Sequence, residues 1–157
     1  MSATEASGPT WPNRAVYADT SFLVSLLLDD ANSSKARSAL ATLNSPLGIS
    51  PLGRLEFRTA VWQRVGRKEL EVGEAAKLCR GFELRVTRGY FYEVQASPEE
   101  VWEKALGISD RHTATLTLRS LDIWHIAFAL VCGADSVFAF DTRMIAVAKA
   151  EGLEVIP

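Results

Sequence analysis

The segments Ala15-Val16-Tyr17-Ala18-Asp19-Thr20-Ser21 and Ser136-Val137-Phe138-Ala139-Phe140-Asp141-Thr142 are built alike. In each, a short apolar run rich in β-branched or aromatic residues stops on an aspartate, and a threonine follows. Such runs favour strands, and an aspartate before threonine suits a helix N-cap. Each segment therefore reads as a strand handing over to a helix. Between them, helices are expected over Ser21–Asp29 and Ser33–Leu43, and a weakly signalled strand over Leu47–Ser50. Pro51 suits the first turn of a helix running to Val65, closed by Gly66. Glu71–Arg88 reads as a helix stopped by Gly89, and Tyr90–Val94 as a strand. Ser97 and Glu100 form a capping box that opens a further helix. Leu121–Cys132 is a strongly apolar helix ended by Gly133, and Thr142–Glu151 a helix with Gly152 as its C-cap before a last strand, Leu153–Ile156. This alternation implies an α/β fold, a central, mainly parallel sheet of about five strands covered by helices.

With 157 residues, 48% hydrophobic and 23% charged, the chain has the size and balance of one globular domain. A domain of that size buries roughly 70% of its unfolded surface and needs no covalent staples. Cys79 and Cys132 are far apart and belong to no metal-binding spacing, so both read as buried thiols of a reducing compartment. The longest apolar stretch, Ile123 to Gly133, is interrupted by His125 and falls short of the ~18 residues a membrane span needs. Met1 to Asn13 lacks the basic and apolar regions of a secretion signal and reads as a disordered tail ahead of a domain over 14–157. A cytoplasmic location follows from these readings. The net charge of −2 argues against a simple electrostatic nucleic-acid binder but not against a nuclease, because bound cations reverse the local sign of carboxylates.

Four acids sit among apolar neighbours. Asp19 and Asp141 end strand-like runs, Asp122 is the one acid between Leu121 and Ala134, and Glu56 lies with Leu52, Leu55, Thr59 and Ala60 on what reads as the inward stripe of its helix. Each aspartate taken alone also suits a helix cap, and Glu56 also suits a structural ion pair with an arginine. Gathered at one end of the sheet, the acids would repel, by roughly 1 kcal/mol per pair at ~4 Å in water and about 4 at an effective dielectric of 20. Such a cluster must be protonated or hold cations. Oxygen-only donors select Mg²⁺ or Mn²⁺ over zinc, and those ions activate water against phosphodiesters.

Tyr17-Ala18-Asp19-Thr20-Ser21-Phe22-Leu23 resembles the opening motif of PIN-domain ribonucleases. Ser50-Pro51 with Leu55-Glu56-Phe57 resembles their second motif, Leu118-Arg119-Ser120-Leu121-Asp122-Ile123-Trp124-His125-Ile126-Ala127 their third, and Phe140-Asp141 with Gly152-Leu153-Glu154-Val155 their fourth. The match runs in order from about residue 15 to the C-terminus, and its single-domain length is similar to the VapC-type toxins of toxin–antitoxin pairs. The resemblance implies a PIN-like α/β/α sandwich. It implies a Mg²⁺- or Mn²⁺-dependent endoribonuclease that hydrolyses RNA phosphodiesters through a metal-activated water, forms a homodimer and is held inactive by an antitoxin protein. Carried over residue by residue, Asp19, Glu56, Asp122 and Asp141 take the places of the catalytic, metal-holding quartet, and Ser21 that of a small hydroxyl residue beside the metal. One position departs: the family often has threonine two residues before its last aspartate, where this chain has Ala139.

Other residues carry weaker signals. His125 lies one turn after Asp122 and could help at the site, although a lone histidine on an apolar helix is more often structural. Arg54, Arg58, Arg64, Arg67 and Lys68 form a basic cluster that reads either as a solvated face or as a contact for RNA phosphates or an acidic partner, with Arg111, His112, Arg119 and Arg143 as further candidates. Trp62 and Trp102 read as core or interface. Phe22–Leu28 is apolar nearly all round, which asks for cover on several sides and favours a dimer or partner groove. Two other functions compete: a non-catalytic PIN-like RNA- or protein-binding module, and a phosphatase with Asp19 as nucleophile. The latter lacks its second aspartate, since Ser21 stands there.

Overall fold

The computed structural model describes residues 14–156; the expected tail, Met1 to Asn13, lies outside them. The elements follow in the order β1 (Val16–Ala18), α1 (Thr20–Leu27), α2 (Ser33–Ala41), β2 (Leu47–Ile49), α3 (Pro51–Gly66), α4 (Val72–Thr87), β3 (Phe91–Glu93), α5 (Pro98–Leu116), α6 (Ser120–Val131), β4 (Ser136–Phe138), α7 (Thr142–Ala150) and β5 (Glu154–Ile156). The five strands pair in the order β3-β2-β1-β4-β5. All pairings are parallel, with Tyr17 opposite Gly48 on one side and Val137 on the other. The expected α/β/α sandwich is present.

Alternation along the strands divides the core. Val16, Ala18, Leu47, Ile49, Phe91 and Phe138 face one layer, where they pack with Phe22, Leu23, Phe57, Val61 and Phe82 of α1, α3 and α4. Tyr17, Val137 and Ala139 face the other, against Ile108 of α5, Ile126 and Phe128 of α6 and Val147 of α7. The central strand β1 is buried on both faces, so Val16-Tyr17-Ala18 is a continuous run rather than an alternating one. Gly133, with φ of +71°, ends α6 in the left-handed region that glycine enters freely.

Several element ends differ from expectation for local reasons. β4 stops at Phe138 rather than Phe140 because the Phe140 N–H leaves the ladder and donates to Ser21 Oγ at 3.1 Å. α1 stops at Leu27 rather than Asp29: Leu28 is extended, its carbonyl accepts the Ser33 hydroxyl, and Asp30 N–H donates to Ser33 Oγ. The apolar α1 packs within its own chain on the sheet, α2 and α3, with Val24, Leu26 and Leu27 left half-buried. Trp62 and Trp102 are not core residues; they are 41% and 60% exposed. Cys79 and Cys132 are buried and form no disulfide. Among the described residues, no helix is long and apolar enough to cross a membrane.

The Phe22 and Phe138 rings stack with centroids 4.4 Å apart, joining α1 to β4 directly beneath the residues that follow each strand. Phe138→Ala is expected to cost about 3–5 kcal/mol in urea unfolding. The double variant with Phe22→Ala should fall short of the summed single losses by about 0.5–1.5 kcal/mol, the worth of the ring pair.

Candidate active site at the carboxyl edge of the sheet

Every strand of a parallel sheet points the same way, so the residues that follow β1, β2 and β4 emerge at one edge. The chain builds β1, β2 and β3 outward in one direction and returns to place β4 on the opposite side of β1. Crevices at such a reversal are where open α/β sheets bind ligands. Asp19 follows β1 there, and Asp141 lies three residues past the end of β4.

Asp19 caps α1: its Oδ1 accepts the Phe22 N–H at 2.8 Å, and the Ser21 hydroxyl lies 2.8 Å from both carboxylate oxygens. The residue is only 2% exposed. Burial, the largest influence, pushes its carboxyl up to about 6, with Asp141 adding repulsion, against the Phe22 N–H, His125 and the Ser21 hydroxyl, which pull it down. Asp141 caps α7, its Oδ1 accepting the Arg143 and Met144 N–H groups at 2.9 and 3.2 Å. Ser21 links the two strand ends, donating to Asp19 and accepting from Phe140 N–H.

Glu56 reaches the edge from the second turn of α3. The inward stripe of that helix is Gly53, Phe57 and Val61, and Leu55 is 61% exposed, so Glu56 lies beside the stripe rather than on it. Its partner is not an arginine. Glu56 Oε2 receives the Thr20 hydroxyl at 2.5 Å and lies 2.6 Å from His125 Nε2. Burial alone would raise this carboxyl, but His125 and the Thr20 hydroxyl outweigh it and hold Glu56 below its ordinary range. His125 is 2% exposed, and its Nδ1 lies 2.5 Å from the Tyr17 hydroxyl, which in turn lies 2.9 Å from Ser50 Oγ. Ser50 is the N-cap of α3 and accepts the Gly53 N–H at 2.9 Å. A Cβ on Gly53 would stand 3.3 Å from Ser50 Oγ and 3.9 Å from His125 Cε1, so glycine leaves this corner its room.

Asp122 sits in the first turn of α6, three residues before His125, and accepts the Arg119 N–H at 3.2 Å. The cap reading thus holds for Asp19 and Asp141, whereas Asp122 is the third residue of α6 and reaches back to the N–H of its N-cap, Arg119. Asp19 and Asp141 are near enough to repel, and Glu56 joins them through Thr20 and His125. Among the described residues, no three His, Cys, Asp or Glu side chains are already gathered as a metal cage. The donor set still suits Mg²⁺, which takes one or two carboxylates together with substrate phosphate rather than a full protein cage. A carboxylate raised by burial, with a second acid near enough to repel it, is also the electrostatic setting a divalent cation relieves.

The basic cluster is largely committed elsewhere. Arg54 binds Glu83 at 2.5 Å and Glu93 at 3.0 Å, Arg58 binds Glu83 at 3.3 Å, and Arg67 binds Glu69 at 2.7 Å with Arg64 at 3.9 Å. Arg111 and His112 both hold Glu151. Arg119 and Arg143 are exposed and flank Asp122 and Asp141 along the chain. Tyr17, Thr20 and Ser50 are members of the site that the sequence reading missed, and His125, weighed there only as a weak candidate, joins them. A phenol in the middle of a buried strand was the available signal, since a buried hydroxyl needs a partner.

Because the Asp19 carboxyl stands near 6 in the fold against 3.8 ordinarily, the folded state holds its proton more tightly than the unfolded chain. Its contribution is therefore complete below about pH 4 and is lost as pH rises through about 6, a change of about 3 kcal/mol. In metal-free urea unfolding, Asp19→Asn should gain stability over the wild type across that window. A difference that stays flat from pH 4 to 7 would contradict the buried, repelled carboxylate.

A family model described as the PIN domain matches residues 16–150. Among solved structures, VapC20 of Mycobacterium tuberculosis, described as a sarcin-ricin loop cleaving toxin, superposes with a TM-score of 0.67 at 22% identity, over 91% of this chain and 100% of that one. FitAcB of Neisseria gonorrhoeae gives 0.63 at 18%, over 90% and 96%, and a toxin–antitoxin complex of Klebsiella pneumoniae gives 0.61 at 15%, over 91% and 97%. At these identities the likeness speaks for the fold. No curated protein matches the chain significantly.

Proposed function

Starting from a chain that belongs to the PIN-domain family, we propose that it is a Mg²⁺- or Mn²⁺-dependent endoribonuclease, the toxin of a toxin–antitoxin pair. The observation that carries this reading is the buried Asp19 carboxylate, pushed up to about 6 beside Asp141 at the reversal point of a parallel sheet. Asp19 and Asp141 would hold the ion, with Asp122 and Glu56 completing the acidic quartet. The bound ion would lower the pKa of a water and offset charge on the scissile phosphate. The chain's own groups do the rest. Ser21 and the Phe22 N–H hold the Asp19 carboxylate in one orientation. The α7 N-terminus does the same for Asp141. Exposed Arg119 and Arg143, near Asp122 and Asp141 in the chain, would take RNA phosphates.

The toxin assignment draws on neighbours that are themselves named as toxins or toxin–antitoxin complexes. We read the cognate inhibitor as an antitoxin protein, the working form as a homodimer and the location as the cytoplasm. The competing reading is a non-catalytic PIN-like module that binds RNA or protein; what favours it is the lack of a gathered three-ligand cage among the described residues.

The wild type is expected to cleave RNA with Mg²⁺ or Mn²⁺ and to stop in chelator. Asp19→Asn and Asp122→Asn should lower the rate by about 100-fold or more, as removal of charge-stabilising groups does, and Asp141→Asn by less, since Ala139 leaves that corner without the family's usual hydroxyl. Millimolar metal should also raise the melting temperature. Expressed alone, the wild type should arrest a bacterial host and Asp19→Asn should not. If the two are equally harmless at equal protein levels and neither cuts RNA, the binding-module reading replaces this one.

A further inference from the structure

Ser50, Tyr17, His125 and Glu56 form a continuous line of hydrogen bonds, at 2.9, 2.5 and 2.6 Å, that runs from the core to the rim of the site. Its first three members are essentially buried: Ser50 and Tyr17 at 0% and His125 at 2%. We propose that His125 is a positioning residue for Glu56, with Tyr17 and Ser50 orienting the imidazole so that its Nε2–H fixes one carboxylate oxygen and leaves the other for the site.

Each link has a direction. Ser50 Oγ already accepts the Gly53 N–H, so its own hydrogen is available to Tyr17 Oη, and Tyr17 donates to His125 Nδ1. The neutral ring then carries its hydrogen on Nε2, facing Glu56. If the ring is charged, Nδ1–H donates to Tyr17 and the Tyr17 hydroxyl to Ser50, and Nε2–H still faces Glu56. The imidazole therefore presents a donor to the carboxylate in either form. Packing fixes its plane as well: the Trp124 ring meets it edge-on with centroids 5.8 Å apart, and Tyr17 lies 5.9 Å away. The Thr20 hydroxyl takes the same Oε2, from the residue next to Asp19. Among the described residues Oε1 receives no hydrogen bond, and it is the oxygen left to meet a water or ion. A carboxylate at the end of a long, rotamer-rich side chain is in this way held to one geometry, as preorganised sites require. What Glu56 then does rests on the ribonuclease reading; the positioning itself does not.

Two amides separate positioning from packing. In His125→Gln the amide nitrogen falls near the place of Nε2 and keeps a donor for Glu56. In His125→Asn the shorter amide falls near Nδ1, keeps Tyr17 and loses Glu56. We expect His125→Asn to lower kcat for RNA about 10- to 100-fold, the worth of a lost hydrogen bond to a charged group, with KM for RNA unchanged, and His125→Gln to recover most of that loss. Equal kcat per folded molecule in the two variants would overturn the proposal. A second readout needs neither metal nor cleavage. The metal-free wild type should show a slowly exchanging, low-field imidazole Nε2–H resonance that disappears in Glu56→Ala. Its absence from the wild type, or its persistence in Glu56→Ala, would equally overturn the proposal. Should the wild type cleave no RNA with either ion, the ribonuclease reading falls, and the resonance alone still decides whether His125 holds Glu56.

Discussion

A carboxylate must be buried where two parallel strands diverge, and the carboxyl edge of this sheet is arranged around that requirement. Asp19 is the N-cap of the helix that leaves the central strand, so the local fold needs its oxygen at that point. Phe22 and Leu23, one turn on, are fully buried, which draws the cap itself out of water. The charge then meets Asp141, which β4 delivers to the same edge. The resulting conflict between capping and charge burial is the kind of local cost that folds retain where a ligand relieves it.

The two helical layers meet at this edge through polar side chains rather than apolar ones. Tyr17 points into the layer formed by α5, α6 and α7, yet its hydroxyl reaches Ser50 at the start of α3 and His125 on α6. Ser21, on α1, receives the Phe140 N–H that β4 releases when it ends. These bonds fix the relative heights of α1, α3, α6 and α7, from which Asp19, Glu56, Asp122 and Asp141 project. Apolar packing places the helices on the sheet; the polar contacts set the finer register that a catalytic arrangement needs.

The fold was legible in the sequence because its signals are local. Strand runs that stop on aspartate, Pro51 behind Ser50 and glycines at 133 and 152 each declare an element or its end. Asp19 was legible for the same reason, as a charge in apolar company, and it is buried to 2% exposure. What could not be read was pairing across long separations. Glu56 and His125 are 69 residues apart, and Arg54 and Glu93 are 39 apart. Helical periodicity put Glu56 on the buried stripe, when Gly53, Phe57 and Val61 occupy it; Leu55, apolar but 61% exposed, misled the count. The same blindness made the arginines of α3 look free, although glutamates of α4, β3 and the α3–α4 turn neutralise most of them.

Under the proposed ribonuclease function, that neutralisation bears on how a chain of net charge −2 would approach a polyanion. A broad basic face would bind any RNA through its phosphates, with affinity falling steeply in salt. Here the arginines of α3 are spent joining α3 to its neighbours, while exposed Arg119 and Arg143 stand beside the acids, at the first turns of α6 and α7. The backbone N–H groups of those turns are engaged by Asp122 and Asp141, so each helix start carries an acid turned to the chain and an arginine free to face solvent. Two exposed arginines thus stand next to acids at helix starts, whereas those of α3 are paired. For the ribonuclease proposed above, RNA held by two arginines beside the acids would have to fit between the two helix starts, so fit rather than general phosphate attraction would choose the segment that is cut.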